Sequence, residues 1–180
     1  MPHWMTNAFL AALAMHVFVQ VWLSYRQTRH VADHRHEVPP AFADAVSATE
    51  HAKAADYTVA RQRFGRIELV YEALMLLVLT LGGGIAALGR IATAIAGSNP
   101  IGSGTLHVLL VLLAMSLATL PFSVWRPFVL EARFDFNRTT VAVFVADLVK
   151  AAALGALLGG GLVALVLWTM QASGTRWWLV

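Results

Sequence analysis

Long apolar runs separated by short charged segments dominate this chain. An α-helix needs about 20 predominantly apolar residues to cross a hydrocarbon core of roughly 30 Å. Four runs reach that length, at residues 4–24, 67–96, 105–125 and 142–170. The pattern predicts an all-α integral membrane fold with four transmembrane helices, in a single membrane domain over residues 1–180.

The segments between the runs carry the charge. Residues 25–66 and 126–141 separate runs one and two and runs three and four, and we expect both segments to be cytoplasmic. Within the first segment, residues 43–65 place apolar and small side chains at helical spacing, which predicts a cytoplasmic amphipathic helix leading into the second span. Composition agrees with a membrane protein, since 58% of residues are hydrophobic and 13% charged.

The first and second runs each leave an alternative. Residues 4–24 could be a cleaved signal peptide, but no Lys or Arg precedes them and no small-x-small site follows, which favours an uncleaved span. The second run is interrupted by Gly82, Gly83 and Gly84, which mark a kink, a close crossing or the end of the span. Glu68 and Glu72 begin this run, and an interfacial helix start is favoured over proton or metal chemistry.

The basic residues predict the orientation. Eleven of the thirteen Lys and Arg residues lie in or beside the two charged segments, leaving Arg90 and Arg176 for the opposite side. The positive-inside rule then puts both termini outside and loops one and three in the cytoplasm. We expect the membrane to be a bacterial inner membrane or an equivalent. The sequence pI of about 9.8 does not indicate nucleic-acid binding, because stacking aromatic residues are too few beside the arginines.

Histidines in the first segment suggest a metal site without specifying one. His30, His34 and His36 lie among acidic residues, but an exposed loop with several histidines is the favoured interpretation. His36 and Glu37 begin a zincin-like H-E-x-x-H pattern, in which Pro40 takes the place of the second histidine. No cysteine occurs. The sequence therefore predicts neither catalytic nor metal-binding residues in this chain.

Small residues and prolines have predicted structural roles. Gly155 and Gly159 form a small-xxx-small pair that predicts tight packing against a partner helix. Pro121 lies near the end of the third run and Pro127 just after it, and both are interpreted as helix terminators.

Residues 120–140, L-P-F-S-V-W-R-P-F-V-L-E-A-R-F-D-F-N-R-T-T, carry a family resemblance. The segment resembles the L-P-F-x-x-Y-x-x-F-V-I-E-x-x-F-G-F-N-x-x-T pattern of type I CAAX prenyl proteases, the membrane zinc endopeptidases of metallopeptidase family 48. Asp135 stands where glycine is usual and Trp125 where tyrosine is common. Shorter similarities occur in the family's order at residues 38–42, 51–58, 63–65, 147–150 and 177–178.

The resemblance implies the N-terminal, non-catalytic membrane domain of such a protease, forming cavity wall and a substrate-facing loop. It implies that zinc belongs to a full-length parent, where two histidines and a distant glutamate would bind it. The implied partners are the lipid bilayer, a missing C-terminal protease domain and a peptide or protein substrate. The implied substrate-loop residues, near the cytoplasmic mouth, are Glu131, Phe134, Asn137 and Arg138.

These loop residues also have a purely local interpretation. Asn137 or Thr139 could cap the following helix, and Glu131 could pair with Arg133. The alternative for the whole chain is a stand-alone, non-enzymatic membrane protein that binds a partner or lipid. A transporter subunit is a third hypothesis, which predicts ionisable residues deep in the spans, and His16 alone approaches that description.

Overall fold

The chain folds as a series of α-helices, and the predicted all-α class is confirmed. The computed structural model describes residues 3–39 and 44–174. Within those residues the helices are α1 (His3–Asp33), α2 (Ala48–Thr80), α3 (Gly84–Ala96), α4 (Pro100–Trp125), α5 (Val141–Leu154) and α6 (Gly160–Ser173). A π-helical turn over Arg126–Glu131 prolongs α4, and a second over Gly155–Gly159 joins α5 to α6. Part of the 38–42 similarity, the Pro40 position, Arg176 and the 177–178 tryptophan pair lie outside the described residues.

Three continuous helical stretches are long and apolar enough to cross a membrane. They are His3–Asp33, Pro100–Glu131 and Val141–Ser173, and α2 with α3 makes a fourth if that bent pair counts as one span. Few side chains are buried within the described part of the chain, and large apolar ones such as Leu157 are 72% exposed. Such exposure suits helices whose solvent is lipid. The depth at which each helix enters the bilayer stays a prediction.

The predicted helix of the first charged segment is continuous with the second apolar run. Residues 48–66 form the N-terminal half of the 33-residue α2, and its amphipathic, cytoplasmic character stays a prediction. The internal Gly65 costs roughly 1 kcal/mol of helix propensity, which is too little to break a helix whose other residues favour it. α1 likewise continues past residue 24 to Asp33, since no Pro or Gly interrupts that stretch.

The glycine triplet ends α2 and starts α3, and the axis turns by 57° between them. Gly83 has φ of 79°, a left-handed conformation that costs most L-residues roughly 1–2 kcal/mol. An added Cβ on Gly82 would lie 2.5 Å from the Val78 carbonyl oxygen, and one on Gly84 would lie 2.9 Å from the Leu79 Cα. The break therefore depends on all three glycines: Gly83 for its positive φ, and Gly82 and Gly84 because a Cβ would clash with the end of α2.

The chain divides into two compact units, each described here by itself. The first contains residues 1–74 and 122–137, and the second residues 75–121 and 138–180. In the second unit, α4 and α6 approach closely at two glycines. A Cβ on Gly104 would lie 2.8 Å from Leu167, and one on Gly160 would lie 3.4 Å from Leu109.

The glycine pair singled out from the sequence does not make this close contact. Within the described residues nothing lies within 4 Å of a Cβ added to Gly155 or Gly159. Gly155 and Gly159 instead begin and end the π turn between α5 and α6. Packing of Gly155 and Gly159 against a partner helix stays a prediction.

The two prolines do not terminate α4, contrary to our interpretation. Pro121 lies inside the helix, and Pro127 lies in the first turn of the π segment that carries the helix on to Glu131. A proline has no N–H to donate, and a π turn accommodates this by shifting the hydrogen-bond register. The Ala132 N–H accordingly bonds back to the Pro127 carbonyl oxygen.

Candidate functional site

A tight turn follows the π segment and forms the first part of the candidate loop. The Glu131 carbonyl oxygen accepts hydrogen bonds from the N–H groups of Phe134 (3.1 Å) and Phe136 (2.9 Å). The Asp135 N–H donates to the Ala132 carbonyl oxygen at 3.2 Å, and Asp135 has φ of 60°. That left-handed conformation is the one glycine adopts without strain, and Asp tolerates it better than most residues. The glycine usual at this position in the resembled pattern thus has a backbone explanation.

An ion pair fixes the turn to α2. The Lys53 Nζ lies 2.8 Å from the Asp135 Oδ2, although 82 residues separate the two in sequence. The hydrogen bond from Lys53, and then its charge, lower the pKa of Asp135 below its ordinary value of 3.8. Both side chains are well exposed, so the pair positions the turn more than it stabilises the fold.

An aromatic cluster provides the second attachment. The Tyr57 ring meets Phe134 edge-on at 5.5 Å and Phe136 edge-on at 4.9 Å between ring centroids. The Lys53 Nζ lies 5.5 Å from the centroid of Phe136. Such edge-to-face pairs are worth about 0.5–1.5 kcal/mol each beyond the burial of area. Lys53 and Tyr57 are one helical turn apart on α2, so one face of that helix holds both aromatic residues of the turn.

The predicted loop residues have different surroundings. Glu131 and Phe134 belong to the turn described above. Asn137 is the last residue of the first compact unit, and Arg138 begins the second stretch of the other unit, residues 138–180. The cap of α5 is Thr140, whose Oγ1 accepts from the Val143 N–H at 3.3 Å, and not Asn137 or Thr139 as expected. Thr140 has the extended backbone of an N-cap and directly precedes the helix.

Arg133 contacts the ring of Phe134, whereas the sequence analysis expected it to pair with Glu131. Its guanidinium carbon lies 5.9 Å from the Phe134 centroid. No Glu131–Arg133 salt bridge occurs among the described residues.

A second set of polar residues joins α1 to α2. The Arg66 Nη1 donates to the hydroxyl oxygens of Ser24 (3.1 Å) and Thr28 (3.2 Å), and the Ser24 hydroxyl donates to Gln62 (2.8 Å). Arg126, at the start of the π segment, forms a salt bridge with Glu68 of α2. Sequence reasoning treated Arg66 and Arg126 only as topology signals. The serine and threonine one turn apart in α1 were the available clue to a polar helix contact.

The histidines contact backbone rather than a common metal position. The His34 Nδ1 lies 2.9 Å from the His30 carbonyl oxygen, and the His51 Nε2 lies 3.2 Å from the His34 carbonyl oxygen. No group of three or more His, Asp or Glu side chains able to hold a metal ion comes together in residues 3–39 and 44–174. The residues described here do not fit a zinc site.

Comparison with known proteins gives a consistent family match. Residues 27–180 match a family described as the CAAX prenyl protease N-terminal domain with five membrane helices. The chain is 26% identical over 150 residues to the probable CAAX prenyl protease 1 of Schizosaccharomyces pombe, covering 76% of this chain and 32% of the relative. It is 24% identical over 155 residues to CAAX prenyl protease 1 of Saccharomyces cerevisiae, covering 81% and 34%.

A solved structure shows the same fold. The crystal structure of S. mikatae Ste24p superimposes with a TM-score of 0.82 at 22% identity, over 93% of this chain and 40% of that chain. This chain therefore spans about a third of the length of its yeast relatives and less than half of the structural neighbour. These relatives are eukaryotic, and the expected bacterial inner membrane gains no support from them.

Proposed function

Because this chain belongs to the CAAX prenyl protease N-terminal family, we propose that it is the non-catalytic membrane part of a zinc metalloendopeptidase. In this proposal its helices form cavity wall, and residues 131–138 form a substrate-facing loop. Its partners are the lipid bilayer, a C-terminal protease domain and a peptide or protein substrate. Zinc binds to the remainder of the parent protein.

The attachment of the turn to α2 is the observation that carries the proposal. The Lys53–Asp135 ion pair and the Tyr57–Phe134–Phe136 cluster hold a charged, aromatic turn against a helix. A binding loop needs such support, because residues that position a substrate must themselves be fixed to within a fraction of an ångström. Glu131, Phe134, Asn137 and Arg138, which lie in or next to this turn in the sequence, are the proposed contacts for substrate.

The same geometry assigns no chemical step to the residues that the structure describes. Zinc-dependent peptide hydrolysis requires three protein ligands and a general base around an activated water. The donor side chains described above do not converge in that way. The 180-residue chain is therefore expected to be inactive alone.

The test compares the purified 180-residue chain with a form extended to the natural stop codon of its gene. Bound zinc is measured by atomic emission, and cleavage is followed with a prenylated CAAX peptide. We expect stoichiometric zinc and cleavage in the extended form alone. If the gene ends at Val180 and zinc is absent, the stand-alone partner- or lipid-binding protein becomes the better hypothesis.

A pair of tyrosine variants tests the loop itself in the extended form. Tyr57→Ala removes the aromatic support of the turn, and we expect kcat/KM to fall roughly tenfold or more with zinc content unchanged. Tyr25→Ala is the matched control, because Tyr25 is 62% exposed on α1. Equal activity of the two variants would contradict a role for the turn in substrate binding.

A further inference from the structure

A row of side-chain contacts joins the end of α4 to α2. The Phe122 ring lies 5.6 Å from the Phe64 ring and 4.9 Å from the Tyr71 ring, measured between centroids. One turn after Phe122, Arg126 forms its salt bridge with Glu68. The three α2 residues are spaced by four and three positions, which places them on one face of that helix. All five residues belong to the first compact unit.

The row continues through the π segment to the aromatic turn. Residues 122, 126, 130 and 134 follow one another at steps of four; Leu130 is buried, and Phe134 meets the Tyr57 ring. In an α-helix each step of four residues overshoots a full turn by about 40°, so repeated steps drift away from a neighbouring helix. The π segment is wound more slowly, because its hydrogen bonds run over five residues. It offsets the drift, so that Arg126 and the turn both face α2.

The Glu68–Arg126 pair lies where an uncompensated charge is costly. The Glu68 side chain is 18% exposed and that of Arg126 is 40% exposed. The predicted spans begin at residue 67 and end at residue 125, which places both charges at the edge of the hydrocarbon core. The Arg126 Nε is buried and has no hydrogen-bond partner in the described structure. Sliding or rotation of the π segment along α2 would separate the pair in a poorly solvated place, and the pair therefore opposes such motion.

We propose that Glu68 and Arg126 are positioning residues, which set where the turn over residues 131–136 lies on α2. Arg126 precedes Phe134 by eight residues and is joined to it by helical backbone. The exposed Lys53–Asp135 pair then holds a turn whose place along α2 is already fixed. The contribution of Glu68 and Arg126 to peptide cleavage rests on the proposed function of the turn, whereas the positioning does not.

A zero-length cross-link measures the position of the turn without any need for protease activity. A water-soluble carbodiimide activates the Asp135 carboxylate, and the Lys53 amine displaces the urea that leaves, which forms an amide. The reaction requires the two groups to be in contact, and in the structure they lie 2.8 Å apart. The purified 180-residue chain is treated in detergent and digested, and the cross-linked peptide is quantified by mass spectrometry.

Three variants test the salt bridge with this cross-link. We expect Glu68→Gln and Arg126→Gln to lower its yield roughly threefold or more, as expected for energetically coupled residues. The double variant Glu68→Arg with Arg126→Glu reverses the pair and should restore the yield. Glu68→Gln is close to isosteric, so it decides the question even if Arg126→Gln fails to fold.

Glu72→Gln is the charge-matched control. Glu72 lies one turn further along α2 and makes no salt bridge within the described ranges. We expect the wild-type yield of the cross-link in this variant. A wild-type yield in Glu68→Gln, or an equal loss in Glu72→Gln, would overturn the proposal, as would a folded reversed pair that does not cross-link.

The same variants in the extended form separate this inference from the proposed function. We expect Glu68→Gln to lower kcat/KM for a prenylated CAAX peptide roughly threefold or more with zinc content unchanged, and the reversed pair to restore it. A cross-link that is lost and restored while cleavage stays constant would support the positioning role and contradict the proposed function of the turn. Reduced cleavage with a wild-type cross-link would overturn the positioning role.

Discussion

Asp135 combines a backbone conformation that suits glycine with a side chain that glycine lacks. Its φ of 60° carries strain, and its carboxylate receives a hydrogen bond from Lys53. Replacement by another residue therefore separates the two contributions. Glycine removes the strain and the ion pair together, whereas alanine removes the ion pair and retains the strain.

We expect Asp135→Gly to unfold at a higher temperature than Asp135→Ala, by roughly 2–4 °C for a chain of this length. The lowered pKa of Asp135 means that the Lys53 contribution is present above the ordinary carboxyl pKa of 3.8 and is lost as pH falls through the folded-state value. The unfolding temperature of Asp135→Gly, measured relative to that of the wild type, should therefore rise when the pH is lowered from about 6 to about 3. Thermal unfolding in detergent at both pH values checks this. A shift in the opposite direction would contradict the ion pair.

Among the helices, the boundary between α2 and α3 depends most directly on named residues. Gly83 supplies a positive φ, and Gly82 and Gly84 allow the backbone to approach Val78 and Leu79. The sequence left three interpretations of this triplet open. In the structure one helix ends and another begins at the triplet, and the Gly82 N–H bonds back five residues to the Leu77 carbonyl oxygen.

Gly83→Ala is expected to destabilise the folded chain by about 1–2 kcal/mol, the cost of a left-handed conformation for an L-residue. Gly65→Ala is the control, since Gly65 lies inside α2, the helix that ends just before the triplet, and nothing lies within 4 Å of a Cβ added there. Removal of an internal helical glycine there should instead stabilise by roughly 0.5–1 kcal/mol. Unfolding free energies from denaturant titration measure both. Similar values for the two variants would mean that the triplet is not a fixed break.

Helix type and approximate position followed from the apolar runs, because hydropathy reports the burial of a helix in lipid. The full length of α2 did not follow from hydropathy, because an apolar run marks only part of a helix and charged residues alone do not end one. The cap at Thr140 was missed because Asn137, Thr139 and Thr140 are all acceptable caps and only backbone geometry selects one. Lys53 and Asp135 are 82 residues apart, and no local pattern joins them.

At the scale of the whole molecule, the lengths of the helices show that they can cross a membrane, but they do not show which end of each helix faces the cytoplasm. The distribution of Lys and Arg supplies the direction, with both termini outside. The family description and the helix lengths establish an integral membrane protein. Orientation remains a prediction of the charge distribution alone.

The absence of cysteine from the sequence makes orientation directly measurable. Ala45→Cys reports on the first charged segment and Ser98→Cys on the turn after α3, and both positions are exposed. With a membrane-impermeant maleimide on intact cells, we expect Ser98→Cys to be labelled and Ala45→Cys to be labelled only after permeabilisation. The reverse pattern would invert the topology.

The distance in sequence between Lys53 and Asp135 has a consequence for the order of synthesis. Tyr57 and Lys53 leave the ribosome roughly 80 residues before the aromatic turn that covers them. Two more apolar stretches must enter the bilayer during that interval. The attachment of the turn to α2 is therefore a late event in biogenesis, and a nascent chain that stops before Phe134 exposes an aromatic and basic helix face to the quality-control machinery of the cell.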